Sequence, residues 1–144
     1  MRHAHRPLRV AEAHSEAAYT TNRAIEFFLK NHGLKPWCLH LSYIRPHWHY
    51  IASYPYNQLF LDLEIPSAIR SRNKLTIAHP IYETLTKIRV SRACIRKKMH
   101  NRVIPIYLGL AKQLDDHFGR LFQYMEKQNL YVQIMIHFTS DHGD

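Results

Sequence analysis

Cysteine is scarce in this chain, with two in 144 residues, Cys38 and Cys94. They form no C-x-x-C pair, which excludes a disulfide framework and a cysteine-built zinc site. The expectation is a reducing, cytoplasmic setting. Glycine is also scarce, with four residues, and there is no Gly-rich phosphate loop, no G-x-S-x-G elbow and no zinc-finger spacing. No apolar run nears the roughly 18 residues that a membrane-spanning helix needs. The basic start, Met1-Arg2-His3-Ala4-His5-Arg6, leads into no apolar stretch, so neither a secretory leader nor a membrane partner is expected. Acidic residues are few, 11 against 20 Lys and Arg. What is there is ordinary: 46% hydrophobic and 22% charged residues are globular proportions that exclude disorder for most of the chain. The length supports one domain.

The net charge of +9 has an address. Arg70–Arg102 holds ten Lys and Arg against one acid, Glu83, while the rest of the chain balances. Such a run reads as an anion site, a nucleic-acid patch or a solvated excursion. Tyr82 is its only aromatic residue, which argues against a base-stacking platform. The expectation is no nucleic-acid partner, and a basic nucleic-acid-binding module at Arg70–Arg102 is the alternative.

Periodicity supplies the organisation. Ala17, Ala18, Thr21, Ala24, Ile25, Phe28 and Leu29 predict a helix capped by Ser15 and stopped at Gly33. Trp37–Ile44 reads as a buried strand ended by Arg45-Pro46. Residues 45–102 are irregular, with short helices expected near Pro80–Ile88 and Arg92–Met99. Ile104, Leu108, Ala111, Leu114, Phe118, Leu121, Phe122 and Met125 predict a long helix with Pro105 in its first turn and Asn129 at its end. Val132–Phe138 reads as a second buried strand. Strand, crossover helix, strand is the grammar of an α/β fold with a parallel sheet.

Ligands of open parallel sheets bind beyond the carboxyl ends of the strands. Arg45-Pro46-His47 follows the first strand and Asp141-His142 the second, so both clusters are expected on one rim. Asp141 and His142 carry the donor types that suit a divalent cation, and Gly143 gives the backbone freedom to aim both. Two ligands do not make a site, and from spacing alone the pair also reads as a solvated turn. His47 could donate to an anion or act as a general acid, or pack against Trp48 and Tyr50. His40 and His137 are expected to be satisfied within the sheet, Cys38 to be inert, and Cys94 to feel the cations around it.

Three segments carry a family resemblance. They are Tyr19–Phe28 with its T-x-x-A-I-x-F helix, Leu39–His47 with its R-P-H turn, and Tyr107–Gly119 with the closing Phe138-Thr139-Ser140-Asp141-His142-Gly143-Asp144. Together they resemble the sulfatase branch of the alkaline phosphatase superfamily, most closely the phosphonate monoester hydrolases. The resemblance implies a partial alkaline-phosphatase-like α/β/α sandwich. It implies metal-dependent hydrolysis of phosphonate or phosphate monoesters or diesters, or of sulfate esters, on a small-molecule substrate. Asp141 and His142 are then ligands of a divalent cation (Mn²⁺, Ca²⁺ or Mg²⁺), and His47 contacts the anionic ester or assists the leaving group. The family's nucleophile is a formylglycine made from the cysteine of C-x-P-x-R, a motif absent here. Residues 15–144 accordingly resemble the second part of a sulfatase-type catalytic domain. Residues 1–14 then form an unanchored segment, and 45–102 an irregular basic excursion. Such a piece is expected to be inactive alone, and an inactive pseudoenzyme of the same fold is a further alternative.

Overall fold

The first helix, α1, runs from Glu16 to Asn31 in the computed structural model of the protein, which describes residues 7–31, 33, 35–67, 79–88 and 97–143. Ser15 caps it: its Oγ accepts from the Ala18 amide at 3.1 Å, satisfying one of the donors that a helix start leaves open. Ala17, Ala18, Thr21, Ala24 and Phe28 form its buried stripe, and Gly33 follows with φ +74°, the left-handed region that suits glycine. A short helix, α2, spans Pro80–Lys87. His79 Nδ1 accepts from the Ile81 amide, Pro80 opens the first turn, and Lys87 pairs with Glu83 at 2.7 Å.

The third helix, α3, covers Lys97–Lys127. It begins well before the expected start and absorbs the last residues of the short helix foreseen at Arg92–Met99; residues 92–96 lie outside the described residues. Pro105 is therefore inside the helix, where it removes one backbone hydrogen bond at a cost of roughly 3 kcal/mol. Packing offsets this, because the flanking Val103 and Ile106 are buried and Leu110 follows one turn later. The buried stripe continues through Gln113, His117, Leu121 and Met125. It is rotated from the apolar stripe read in the sequence, because the chain before α1 covers a face that carries two polar residues.

That face is satisfied from far away. His117 Nε2 lies 2.7 Å from Glu12 Oε1, and Arg120 donates to His117 Nδ1 at 3.2 Å, so the neutral ring carries its proton on Nε2. Gln113 Nε2 donates to Ser15 Oγ and Glu12 Oε1. The Leu8 amide donates to the Ala52 carbonyl at 2.9 Å, and a 3₁₀ turn spans Glu12–His14. The expectation of an unanchored segment over 1–14 thus fails for residues 8–14. Their polar groups have partners on α3 and on the 50–57 loop, which no local pattern announces; residues 1–6 are outside the described ones.

Two apolar cores line α3. One joins Ala24 and Phe28 of α1 to Leu121, Met125 and Leu130, with Trp37, Leu39, Leu41 and Ile134 against it. The other joins Ala52 to Ile106 and Leu110 beneath Tyr50 and Tyr56. The 50–57 loop crosses α3 at Gly109, where a Cβ would sit 2.1 Å from the Tyr56 carbonyl oxygen. Tyr56 Oη then donates to Asp116 Oδ2 at 2.8 Å, and Lys112 pairs with both Asp115 and Asp116.

Burial, and next the Asp116 carboxylate, push the Tyr56 phenol up to about 12. The unfolded chain releases this proton first, near pH 10, so the stabilisation holds below that pH and is lost as the pH rises to about 12. Tyr56→Phe is expected to lower stability by on the order of 1 kcal/mol at neutral pH and to flatten that alkaline limb. Urea unfolding at pH 7 and at intervals from 9 to 12 checks both.

The parallel sheet of the expected α/β fold is not found: none of the described residues lies in a strand. Residues 37–44 still behave as one side of a strand, because Trp37, Leu39, Leu41 and Tyr43 are partly covered while Cys38, His40, Ser42 and Ile44 are exposed. Ile134 has extended backbone, and residues 135–140 leave it without helix or ladder, their side chains exposed. His40, His137 and Cys38 are consequently exposed, not satisfied inside a sheet. A strand exists only by pairing, and among the described residues no ladder hydrogen bonds are made by 37–43 or 135–140.

Candidate metal turn and its facing histidine

The chain turns sharply after Ile44. The His47 amide donates to the Ile44 carbonyl at 3.0 Å. The His49 carbonyl accepts twice, from Arg45 Nη1 and from the Ile51 amide, each at 2.8 Å. Arg45 therefore ties the turn that presents His47. The sequence marks Arg45 as part of the turn but gives no sign of this hydrogen bond.

The second turn is built from its own backbone. The His142 amide donates to Asp141 Oδ1 at 2.8 Å, and Ser140 Oγ donates to the His142 carbonyl. His142 Nδ1 donates to the Gly143 carbonyl at 2.9 Å, which places the lone pair of the neutral ring on Nε2. That atom is 3.8 Å from Asp141 Oδ2. The His142 amide hydrogen bond first, then the charge of His142 and more weakly that of His47, hold the Asp141 carboxyl below the usual carboxylate range.

The two turns meet. The His47 and His142 rings are 6.3 Å apart, nearly perpendicular at 77°. Phe118 of α3 sets this convergence, because its ring packs edge-on against Tyr43 and Phe138, each at 5.2 Å. Both extended segments thus rest on one side chain and release their turns on the same side. All three residues singled out in the sequence, His47, Asp141 and His142, come together here.

The donor chemistry fits a divalent cation. Two atoms ligating one ion at about 2.1 Å each stand no more than about 4 Å apart, and 3.8 Å falls within that span. The number of donors falls short, since no group of three or more His, Cys, Asp or Glu that could hold a metal exists among the described residues. These residues therefore fit part of a centre. Of the basic stretch Arg70–Arg102, only 79–88 and 97–102 are described, and Cys94 lies outside. No helix among the described residues is long and apolar enough to cross a membrane.

Known proteins place the chain. The chain is 32% identical to the multifunctional alkaline phosphatase superfamily protein PehA of Trinickia caryophylli, over 96% of this chain and 29% of that protein. Its structure resembles the phosphonate monoester hydrolase SpPMH from Silicibacter pomeroyi with a TM-score of 0.67 and 26% identity, covering 89% of this chain and 27% of that one. The chain thus spans less than a third of the length of these relatives, so most of their polypeptide has no counterpart here. The sulfatase family model matches residues 7–144, and the chain belongs to the sulfatase family, within the alkaline phosphatase superfamily of hydrolases.

Proposed function

We propose that this chain contributes part of the active site of a metal-dependent hydrolase acting on phosphonate or phosphate esters, or on sulfate esters. The observation that carries the reading is the 6.3 Å approach of His47 to His142 beside Asp141, from turns 90 residues and more apart in sequence. Asp141 Oδ2 and His142 Nε2 would hold a cation of the Mn²⁺, Ca²⁺ or Mg²⁺ class, and the remaining ligands come from outside the described residues. When bound, that ion supplies Lewis-acid stabilisation of the negative charge on the transferred group.

The chain's own residues supply binding and orientation. His47, whose ring lies 6.3 Å from that of His142, would donate a hydrogen bond to the anionic ester or to the leaving oxygen. Arg45 fixes the backbone that carries it. The nucleophile is not among these residues, which contain no C-x-P-x-R cysteine. The 144 residues alone are therefore expected to bind metal weakly and to turn over no ester.

A Mn²⁺ titration followed by NMR tests the metal turn directly. Paramagnetic broadening is expected first at residues 140–143 and at the His47 ring, and to vanish there in Asp141→Ala. Broadening centred on Asp115 and Asp116, with none at 141–142, would refute the assignment.

A further inference from the structure

We infer that the side chains of Asn57 and Ser53, with the Val10 carbonyl, hold one internal water molecule that fastens the segment before α1 to the 50–57 loop. The inference involves neither metal nor ester and stands without the hydrolase reading.

Asn57 carries it. The residue is 1% exposed, yet neither Oδ1 nor Nδ2 of its side chain has a hydrogen-bond partner among the described residues. Roughly nine in ten or more buried polar groups are partnered, because each one left unsatisfied lowers the folded population by about tenfold or more. Ser53 supplies the surroundings. The Asn57 amide donates to the Ser53 carbonyl at 3.1 Å, so both side chains leave the backbone from one closed turn. Ser53 is 2% exposed. Its hydroxyl donates to the Val10 carbonyl at 3.4 Å, longer than the about 2.5–3.0 Å of an ordinary O–H···O bond. Two under-satisfied side chains thus start from one buried turn beside an under-satisfied carbonyl.

Their chemistry selects the ligand. The amide and the hydroxyl each donate and accept, and the carbonyl accepts. A cation would meet the Nδ2 donor, and an anion the Oδ1 and carbonyl acceptors. Water has both kinds of site and takes about three partners when buried. The Leu8 amide already donates to the Ala52 carbonyl at 2.9 Å, so the water is a second fastening along the same seam.

A crystal structure of the 144-residue chain tests the site directly. Expected is one ordered water within about 3.2 Å of the Asn57 amide, the Ser53 hydroxyl and the Val10 carbonyl. Density without that water, or with the Asn57 amide bonded to protein in its place, overturns the proposal. Urea unfolding gives an independent reading. With the amide satisfied by water, Asn57→Leu lowers the folded-to-unfolded ratio at least about fivefold. An unchanged or raised ratio means an amide with no partner, and the proposal falls. Ser53→Ala separates loss of the water from poor packing in the first variant. It also lowers the ratio, and the double variant loses less than the product of the two single losses, because both act through one molecule. Losses that simply multiply overturn the shared water.

Discussion

Gly109→Ala is expected to destabilise the chain by about 3 kcal/mol, against the direction that helix propensity predicts. In an open helix interior the same change gains up to about 1 kcal/mol, because glycine holds more backbone entropy in the unfolded state. At Gly109 the new methyl would sit 2.1 Å from the Tyr56 oxygen and 3.0 Å from the Tyr56 carbonyl carbon. Those atoms are backbone, so they cannot swing aside as a side chain would. The 50–57 loop would have to lift, uncovering Ile106 and Leu110, and the Tyr56–Asp116 hydrogen bond would lengthen with it. Gly119, in the same helix, is the matched control: a Cβ there meets nothing within 4 Å, so Gly119→Ala is expected to be neutral or slightly stabilising. Urea denaturation of the two variants side by side checks the contrast. Equal behaviour would mean that the loop does not press on α3.

Asp141→Ala is expected to abolish measurable turnover in a PehA chimera carrying residues 7–143, with a loss of at least about 100-fold. Removing even an outer partner of a metal ligand typically costs 10- to 100-fold, and Asp141 is proposed as a ligand itself. The variant loses more than one donor atom. Asp141 Oδ1 also accepts the His142 amide, so His142 is freed from the geometry that places its Nε2 3.8 Å from Oδ2. Asp141→Asn separates the two roles, because the amide oxygen can keep the backbone hydrogen bond while the ligand charge is lost. Turnover and bound metal should fall together in both variants, and far less in Ser42→Ala, an exposed position outside either turn. Full activity with the wild-type metal content in Asp141→Ala would end the assignment.

Much of the helical framework is legible in the sequence for a simple reason: its signals are local. Ser15 reads as a cap and acts as one, and Ala17 to Phe28 recur at the spacing they bury. Pro80 likewise opens the helix it announces. Pro105 misleads because its rule is also local. It marks a favoured helix start, but burial of Val103, Ile106 and Leu110 carries α3 through it. Gln113 and His117 fall outside the apolar stripe read in the sequence yet are buried, since their partners Ser15 and Glu12 lie about a hundred residues earlier. The strands fail differently. Residues 37–44 read as a buried strand, but every second residue is exposed, and a ladder needs neighbours that the described residues do not contain.

The site shows the same division. Asp141, His142 and His47 stand out through the family resemblance, since residue type alone also reads them as a solvated turn and a loop histidine, and the structure brings the two turns within 6.3 Å without the strands expected to align them. The means of convergence, one phenylalanine under both segments, is not legible, because Phe118 looks like any other apolar helix position. Arg45's bond to the His49 carbonyl was equally hidden, since nothing in a tripeptide shows which backbone oxygen a long side chain reaches.

The bridge between Glu12 and His117 has a kinetic consequence. Its ends are 105 residues apart, and the Gln113–Ser15 contact spans 98. Bringing such distant points together is slow, because the entropy of closing the intervening loop is lost before the contact is gained. The long helix needs no such closure and can order in advance. Docking of the Glu12–His14 turn is therefore expected together with that of α1 on α3, whose own contacts such as Phe28 with Leu121 close loops of similar length, and a fluorophore near Val10 would report that step.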